Sequence, residues 1–189
     1  MSATPRSSVS PKLDMQGRVS DSSLDYLLIS LVQHYQQQTA GPPSQVALSA
    51  IGFRLGRVLA ERLARDRPPM LDQLEILKWV CKEFWTELFK KSVDNLRTNH
   101  RGTYVLRDTQ FRWTLRLSQN LVSQPERLSP NDLAAVHLVL PCAAIRGALA
   151  ALGMEATVTA DATTLPQCDF TVVVHTTAQG PATTALGSQ

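Results

Sequence analysis

The chain is predicted to fold as an α+β domain, with about four helices and an antiparallel sheet of about four strands. Three features predict it. Large apolar residues recur at helical spacing through the first half, the period shortens towards two after Val93, and a second helical stretch near 130–152 leads into two further short alternating runs. Leu24, Leu27, Leu28, Leu31 and Tyr35 mark a first helix behind an N-cap at Asp21 or Ser22, ending before Gly41-Pro42-Pro43. Ser44 is the expected cap of a second helix, with Leu48, Ile51, Leu55, Val58 and Leu59 on one side and Arg54, Arg57, Glu61 and Arg65 on another. It should stop near Asp66-Arg67-Pro68-Pro69. A third, long helix follows the prolines, carrying an apolar stripe of Leu71, Leu74, Leu77, Cys81, Phe84 and Leu88.

Beyond Val93 the chain turns at Arg101-Gly102. Tyr104 and Leu106, then Phe111, Trp113, Leu115 and Leu117, alternate with polar or basic residues, which predicts two strands about a turn at Asp108-Thr109-Gln110. The next helix should run from about Pro130 to Leu152, capped by Ser129 or Asn131, closed by Gly153 and kinked or broken at Pro141. Ala156 to Ala160 and Phe170 to His175 supply the last two strands.

A length of 189 residues with 43% hydrophobic and 19% charged side chains fits one globular domain. Residues 1–20 hold five serines and two prolines and few large apolar groups, so they are expected to form a disordered leader, with 21–175 as the folded body and 176–189 as an uncharged tail. The leader also carries Arg6, Lys12 and Arg18 against Asp14, so most of the net charge of +3 sits there and the body is nearly neutral. That weakens any inference of nucleic-acid binding from charge. Cys81, Cys142 and Cys168 are an odd, scattered set without a paired-cysteine motif, which argues for reduced buried thiols in the cytosol. No secretory leader and no run of about 18 consecutive apolar residues is found.

No catalytic constellation emerges. The four histidines, His34, His100, His137 and His175, are too dispersed for a metal motif, and nucleophile-elbow, P-loop and dinucleotide-binding patterns are missing. No cofactor is expected. Arg97, Arg101, Arg107, Arg112 and Arg116 lie near Tyr104, Phe111 and Trp113, a mixture that suits RNA, but in 111–117 the arginines fall on even positions and the apolar residues on odd ones, as on the solvated face of a hairpin. The first two helices are apolar on more than one side, and Gly52 and Gly56 allow another backbone to come close. A second apolar face calls for a partner, so these helices are the expected interface, through Leu24, Leu27, Leu28, Leu31, Leu48, Ile51, Phe53, Leu55 and Leu59.

Three ordered blocks carry a resemblance. Gly52, Phe53, Gly56, Leu59, Glu61 and Arg62 keep one spacing in the second helix. Lys90 to Gly102 contains Asp94, Asn95, Leu96, Arg97, Asn99 and Gly102, and the late helix contains Cys142, Arg146 and Gly147 within Cys142 to Leu149. Over roughly Ser22 to His175 these resemble the Bet-three-like family of TRAPP small subunits, on its subunit-six branch. The resemblance implies a non-enzymatic scaffold in a vesicle-tethering complex, pairing with a Bet-three-type subunit through helices one and two and touching other TRAPP subunits. It further implies that a Rab GTPase is met only through the complex in ER-to-Golgi and Golgi traffic, that the chain is cytoplasmic and peripheral to those membranes with only indirect membrane contact, and that no nucleic acid is bound. The Bet-three subunit carries an acylated cysteine just after helix two, where this chain has Arg67-Pro68-Pro69-Met70. Acylation is therefore not implied here. Gln124 to Pro130 is an insertion-like loop. The rival reading is a small-ligand or lipid-binding domain whose pocket would be lined by Phe84, Leu140 and Ile145.

Overall fold

Residues 21–38, 42–115, 130–162 and 164–175 are described by the structure, a computed structural model. The expected leader and tail, Leu117 and most of the 124–130 loop lie outside them. Two long helices, α1 (Asp21–Gln38) and α2 (Pro42–Ala64), come first. A third rod follows as α3 (Gln73–Trp79), a π-helical turn (Val80–Phe84) and α4 (Trp85–Phe89). Then come β1 (Asn95–Thr98), β2 (Thr103–Asp108), α5 (Pro130–Ala151), β3 (Ala156–Asp161) and β4 (Cys168–Val174). The four strands form one antiparallel sheet in the order β1-β2-β4-β3.

α5 organises the core. Its segment Ala134–Ala151 is long and apolar enough to cross a membrane, yet most of it is buried within the fold. A helix apolar on nearly every side needs cover on nearly every side, and α2 supplies one wall of it. On α2, Ser44, Leu48, Gly52, Gly56 and Ala60 are all buried, one residue in every four, which is a single helical stripe. A Cβ at Gly52 would fall on the carbonyl of Leu140, one at Gly56 on the carbonyl of Ala144, and one at Gly147 of α5 on the carbonyl of Phe53. The two helices thus touch backbone to backbone, and the glycines serve the chain's own core. α5 runs through Pro141 without the expected break, and Asn131 lies inside its first turn instead of capping it. Likewise α2 starts at Pro42, so Ser44 sits within its first turn as a buried residue, and its cap role is withdrawn. Proline suits that first turn because the leading N–H groups of a helix have no partner inside it.

The third rod begins at Gln73, where the Asp72 carboxylate accepts the Glu75 N–H at 3.3 Å. Leu71, expected on the buried stripe, precedes that cap and is 92% exposed. Within the π-helical turn the Cys81 carbonyl accepts the N–H of Val93 at 3.0 Å, holding the returning chain against the rod. Lys90, with φ 63°, ends the helix in the left-handed region. Trp85 and Phe89 then meet Phe111, Trp113 and Phe170 with ring centroids 4.6 to 6.3 Å apart, an aromatic cluster between rod and sheet.

The strand expected over Phe111 to Leu117 is not formed in its described part, residues 111–115. Residues 112–115 make a helical turn, in which the Phe111 carbonyl accepts the N–H groups of Thr114 and Leu115 at 3.1 and 3.2 Å. The Phe111 N–H bonds the Pro166 carbonyl at 3.1 Å. Phe111 and Trp113 are both buried, so their alternation reflects two anchors entering the aromatic cluster. Arg112 between them does not face solvent. Its guanidinium grips Asp25 of α1, with Nε and Nη2 3.0 and 2.9 Å from the carboxylate oxygens.

The block from Asp94 to Gly102 builds the β1–β2 hairpin. Asn99 Oδ1 accepts the N–H groups of Arg101 and Thr103 at 2.8 and 3.0 Å, while His100 and Gly102 adopt φ of 57° and 82°. The Gly102 carbonyl accepts the Val174 N–H at 2.8 Å, fastening the turn to β4. At the other end of the hairpin lies a fully buried carboxylate, Asp108. It accepts from Trp85 Nε1 at 3.1 Å, Lys91 Nζ at 2.7 Å and the Gln110 N–H at 3.0 Å. Burying a carboxylate is costly unless several donors replace its water, and three do so here. Lys91 also reaches Asp94 at 2.9 Å. Partial burial opposes the Lys91 charge, but the two carboxylates outweigh it and raise its pKa. Asp94 accepts the N–H and hydroxyl of Thr109, both at 2.7 Å; these bonds, and then Lys91, bring its pKa down to about 2.

Two predictions follow from this packing. Gly56→Ala and Gly147→Ala should each lower the unfolding free energy by about 3 kcal/mol in urea titrations, since overpacking against fixed backbone costs roughly 1–3 kcal/mol. The second concerns pH. With a folded pKa of about 2 against 3.8 for the free group, Asp94 contributes stability fully present above pH 4 and lost as pH falls through 2. Asp94→Asn should therefore flatten the rise of stability with pH across that window, read from urea midpoints at pH 2 to 5.

Candidate partner interface

Among the described residues the chemistry-bearing side chains converge on no reaction centre. Among the described residues no group of three histidine, cysteine or acidic side chains is placed to hold a metal. Burial pushes the thiols of Cys81, Cys142 and Cys168 up to about 12, so each stays protonated at neutral pH and none is a ready nucleophile. Desolvation lowers the His137 pKa to about 4, leaving a neutral imidazole near Asp25 and Trp113. The cavity these three residues share with Leu28, Ile29, Val32 and Leu140 measures 20 Å³. That holds about one water molecule, against the 300–1,000 Å³ usual for ligand pockets. Of the expected lining of a lipid pocket, Phe84 and Ile145 are buried in the core away from this cavity, and Leu140 alone borders it.

The basic and aromatic surface fares no better as a nucleic-acid site. Tyr104, Phe111 and Trp113 are buried and offer no ring for a base to stack on. Arg107 lies opposite Asp169 across the β2–β4 ladder and binds it through two bonds of 2.8 and 2.6 Å, and Arg112 is held by Asp25. Arg97 and Arg101 are exposed, and Arg116 lies outside the described residues.

Exposed apolar surface gathers instead on α1 and α2. α1 buries Asp25, Ile29 and Val32. One helical step round, Leu24, Leu27 and Leu31 form a second stripe, with Leu27 63% exposed and Leu24 also open. On α2, Ile51, Leu55 and Val58 occupy one flank at the same spacing, and Val58 is 56% exposed. Asp25 and Arg112 anchor α1 so that its outer stripe stays outward. Of the interface residues expected from sequence, Leu24, Leu27 and Leu55 are exposed, whereas Leu28, Leu31, Ile51, Phe53 and Leu59 are half-buried. Leu48 has no exposed surface, because it belongs to the stripe that meets α5. Phe53 faces the α5 side, beneath the guanidinium of Arg146. Tyr26, Val46 and Val58 are exposed but were not expected; for Val58, its place three residues after Leu55 and seven after Ile51 was the available signal.

Comparison with known proteins gives the family. Residues 24–176 match the family model described as transport protein particle (TRAPP) component. The chain is 42% identical to mouse trafficking protein particle complex subunit 6B over 128 residues, covering 68% of this chain and 77% of that protein. It is also 42% identical to human trafficking protein particle complex subunit 6A over 127 residues, covering 67% and 76%. In fold it is similar to a crystal structure of trafficking protein particle complex subunit 3 from Naegleria fowleri covalently bound to palmitic acid. The TM-score there is 0.64 at 14% identity, over 81% of this chain and 93% of that one. The match over residues 24–176 and the 42% identity to subunit-six proteins over two thirds of the chain place it in the TRAPP component family, on its subunit-six branch.

Proposed function

We propose that the chain is a non-catalytic assembly subunit of a TRAPP vesicle-tethering complex, pairing with a Bet-three-type subunit through the outer faces of α1 and α2. The observation that carries this reading is the pair of apolar stripes, Leu24-Leu27-Leu31 and Ile51-Leu55-Val58, on helices whose inner faces are already committed to the core. Exposed apolar side chains on two adjacent helices are best covered by a permanent partner of comparable size, since a stable interface buries roughly 800 Å² on each side. Other TRAPP subunits complete the assembly. Its role is to support, from the cytoplasmic side of ER and Golgi membranes, the Rab guanine nucleotide exchange that the complex performs in ER-to-Golgi and Golgi traffic. The membrane and the GTPase are both reached through the complex.

The interface is tested by mixing the chain with a Bet-three-type subunit and weighing the product by light scattering after size exclusion. A one-to-one heterodimer is expected. Leu27→Glu combined with Val58→Glu should weaken it by about thirtyfold or more, since a central interface side chain contributes roughly 2 kcal/mol or above. Retained affinity in that variant would sink the reading. Exchange activity of the chain alone should match the uncatalysed rate in a fluorescent-nucleotide release assay.

A further inference from the structure

Among the described residues β3 lies at the edge of the sheet, paired with β4 on one side only. Such an edge presents a row of main-chain donors and acceptors, which folded proteins usually blunt with proline, lysine or a bulge. Here Ala156–Asp161 contains neither residue, and its register with β4 runs without interruption. Beside this edge runs α5, and helix and strand wall a groove of 310 Å³. Leu138, Val139 and Cys142 line the helix side, with Val158 and Ala160 on the strand side.

One cation overlooks this apolar floor. The exposed Arg146 has its guanidinium carbon 5.1 Å from the centre of the Phe53 ring and Nη2 3.4 Å from Ser49 Oγ, so ring and hydroxyl hold it in place. Among the described residues no carboxylate pairs with it. An oriented guanidinium presents a fork of donors that matches a carboxylate. A strand edge, a row of apolar side chains and a single fixed cation are together what an added strand with one acidic side chain would require.

We propose that this groove docks an extended segment of a partner protein as a fifth strand against β3, with an aspartate or glutamate of that segment on Arg146. Small apolar side chains of the segment alternate into the floor between Cys142 and Val158. The surface is distinct from the α1 and α2 stripes and does not depend on the dimer reading.

The test pans a phage-displayed random dodecapeptide library on the full chain and measures selected peptides by fluorescence anisotropy and amide hydrogen exchange. Selected peptides are expected to share one acidic position flanked by small or β-branched residues, and to slow exchange at the edge-facing amides of Thr157–Asp161. Arg146→Glu should weaken binding at least tenfold, and replacing the peptide's acid with lysine should restore it. Cys142→Trp, which fills the floor, should weaken it at least tenfold too. The combined Leu27→Glu and Val58→Glu variant should bind peptide normally, which separates this surface from the dimer interface. Peptides without an acidic position, unchanged exchange along β3, or no effect of the Arg146 charge swap would each overturn the proposal. So would self-association through β3 in place of peptide capture.

Discussion

Backbone contact between α2 and α5 is the constraint on which the other parts depend. Gly52, Gly56 and Gly147 remove three side chains from the crossing, so carbonyl groups of one helix lie where a methyl of the other would otherwise stand. Helices this close have little room to shift relative to one another, because packed interiors leave few voids to absorb a displacement. On another side α5 packs against β3, and its Ile145 and Leu149 are fully buried. Position therefore passes from α2 to α5 to the sheet. The same contact uses up one face of α2 and leaves Leu55 and Val58 exposed on another.

Polar contacts hold the remaining pieces to that frame. Asp108 collects donors from α4, from the segment after it and from the turn beyond β2, so one carboxylate brings together three stretches distant in sequence. Asp25 and Arg112 do the same for α1. A buried ion pair contributes little net energy compared with a well-packed apolar contact, but it penalises every arrangement that separates the charges. Here such pairs set where α1 and the hairpin sit, while the apolar core supplies the cohesion.

Much of the fold was legible because it rests on local pattern. The spacing of Leu24 to Tyr35, the proline stops, Gly153 and the alternation at Ala156 and Phe170 lead to the elements observed. The failures share a cause, which is that a tertiary contact decided the local structure. Phe111 and Trp113 alternate as a strand would, yet both are drawn into a cluster with Phe89 and Phe170, and a helical turn delivers them there. The π-helical turn sits where the Cys81 carbonyl meets the N–H of Val93, a dozen residues downstream. Leu48 and Leu55 are both expected at the interface from sequence; the phase set by Gly52 and Gly56 puts the first inside and leaves the second exposed. The groove beside β3 could not be read from sequence at all, since its two walls meet only once the sheet order is known.

The cysteines carry one more consequence. Cys81 and Cys168 are shielded from solvent with thiols that do not ionise near neutral pH, and Cys142 lies on the floor of the β3 groove with its thiol equally protonated. A thiol-reactive dye therefore modifies the first two only when the fold opens, so their labelling rate is a clock for opening of the core. Labelling of Cys142 follows access to the groove instead. One chain thus holds separate reporters for its interior and for a surface, placed there by packing alone.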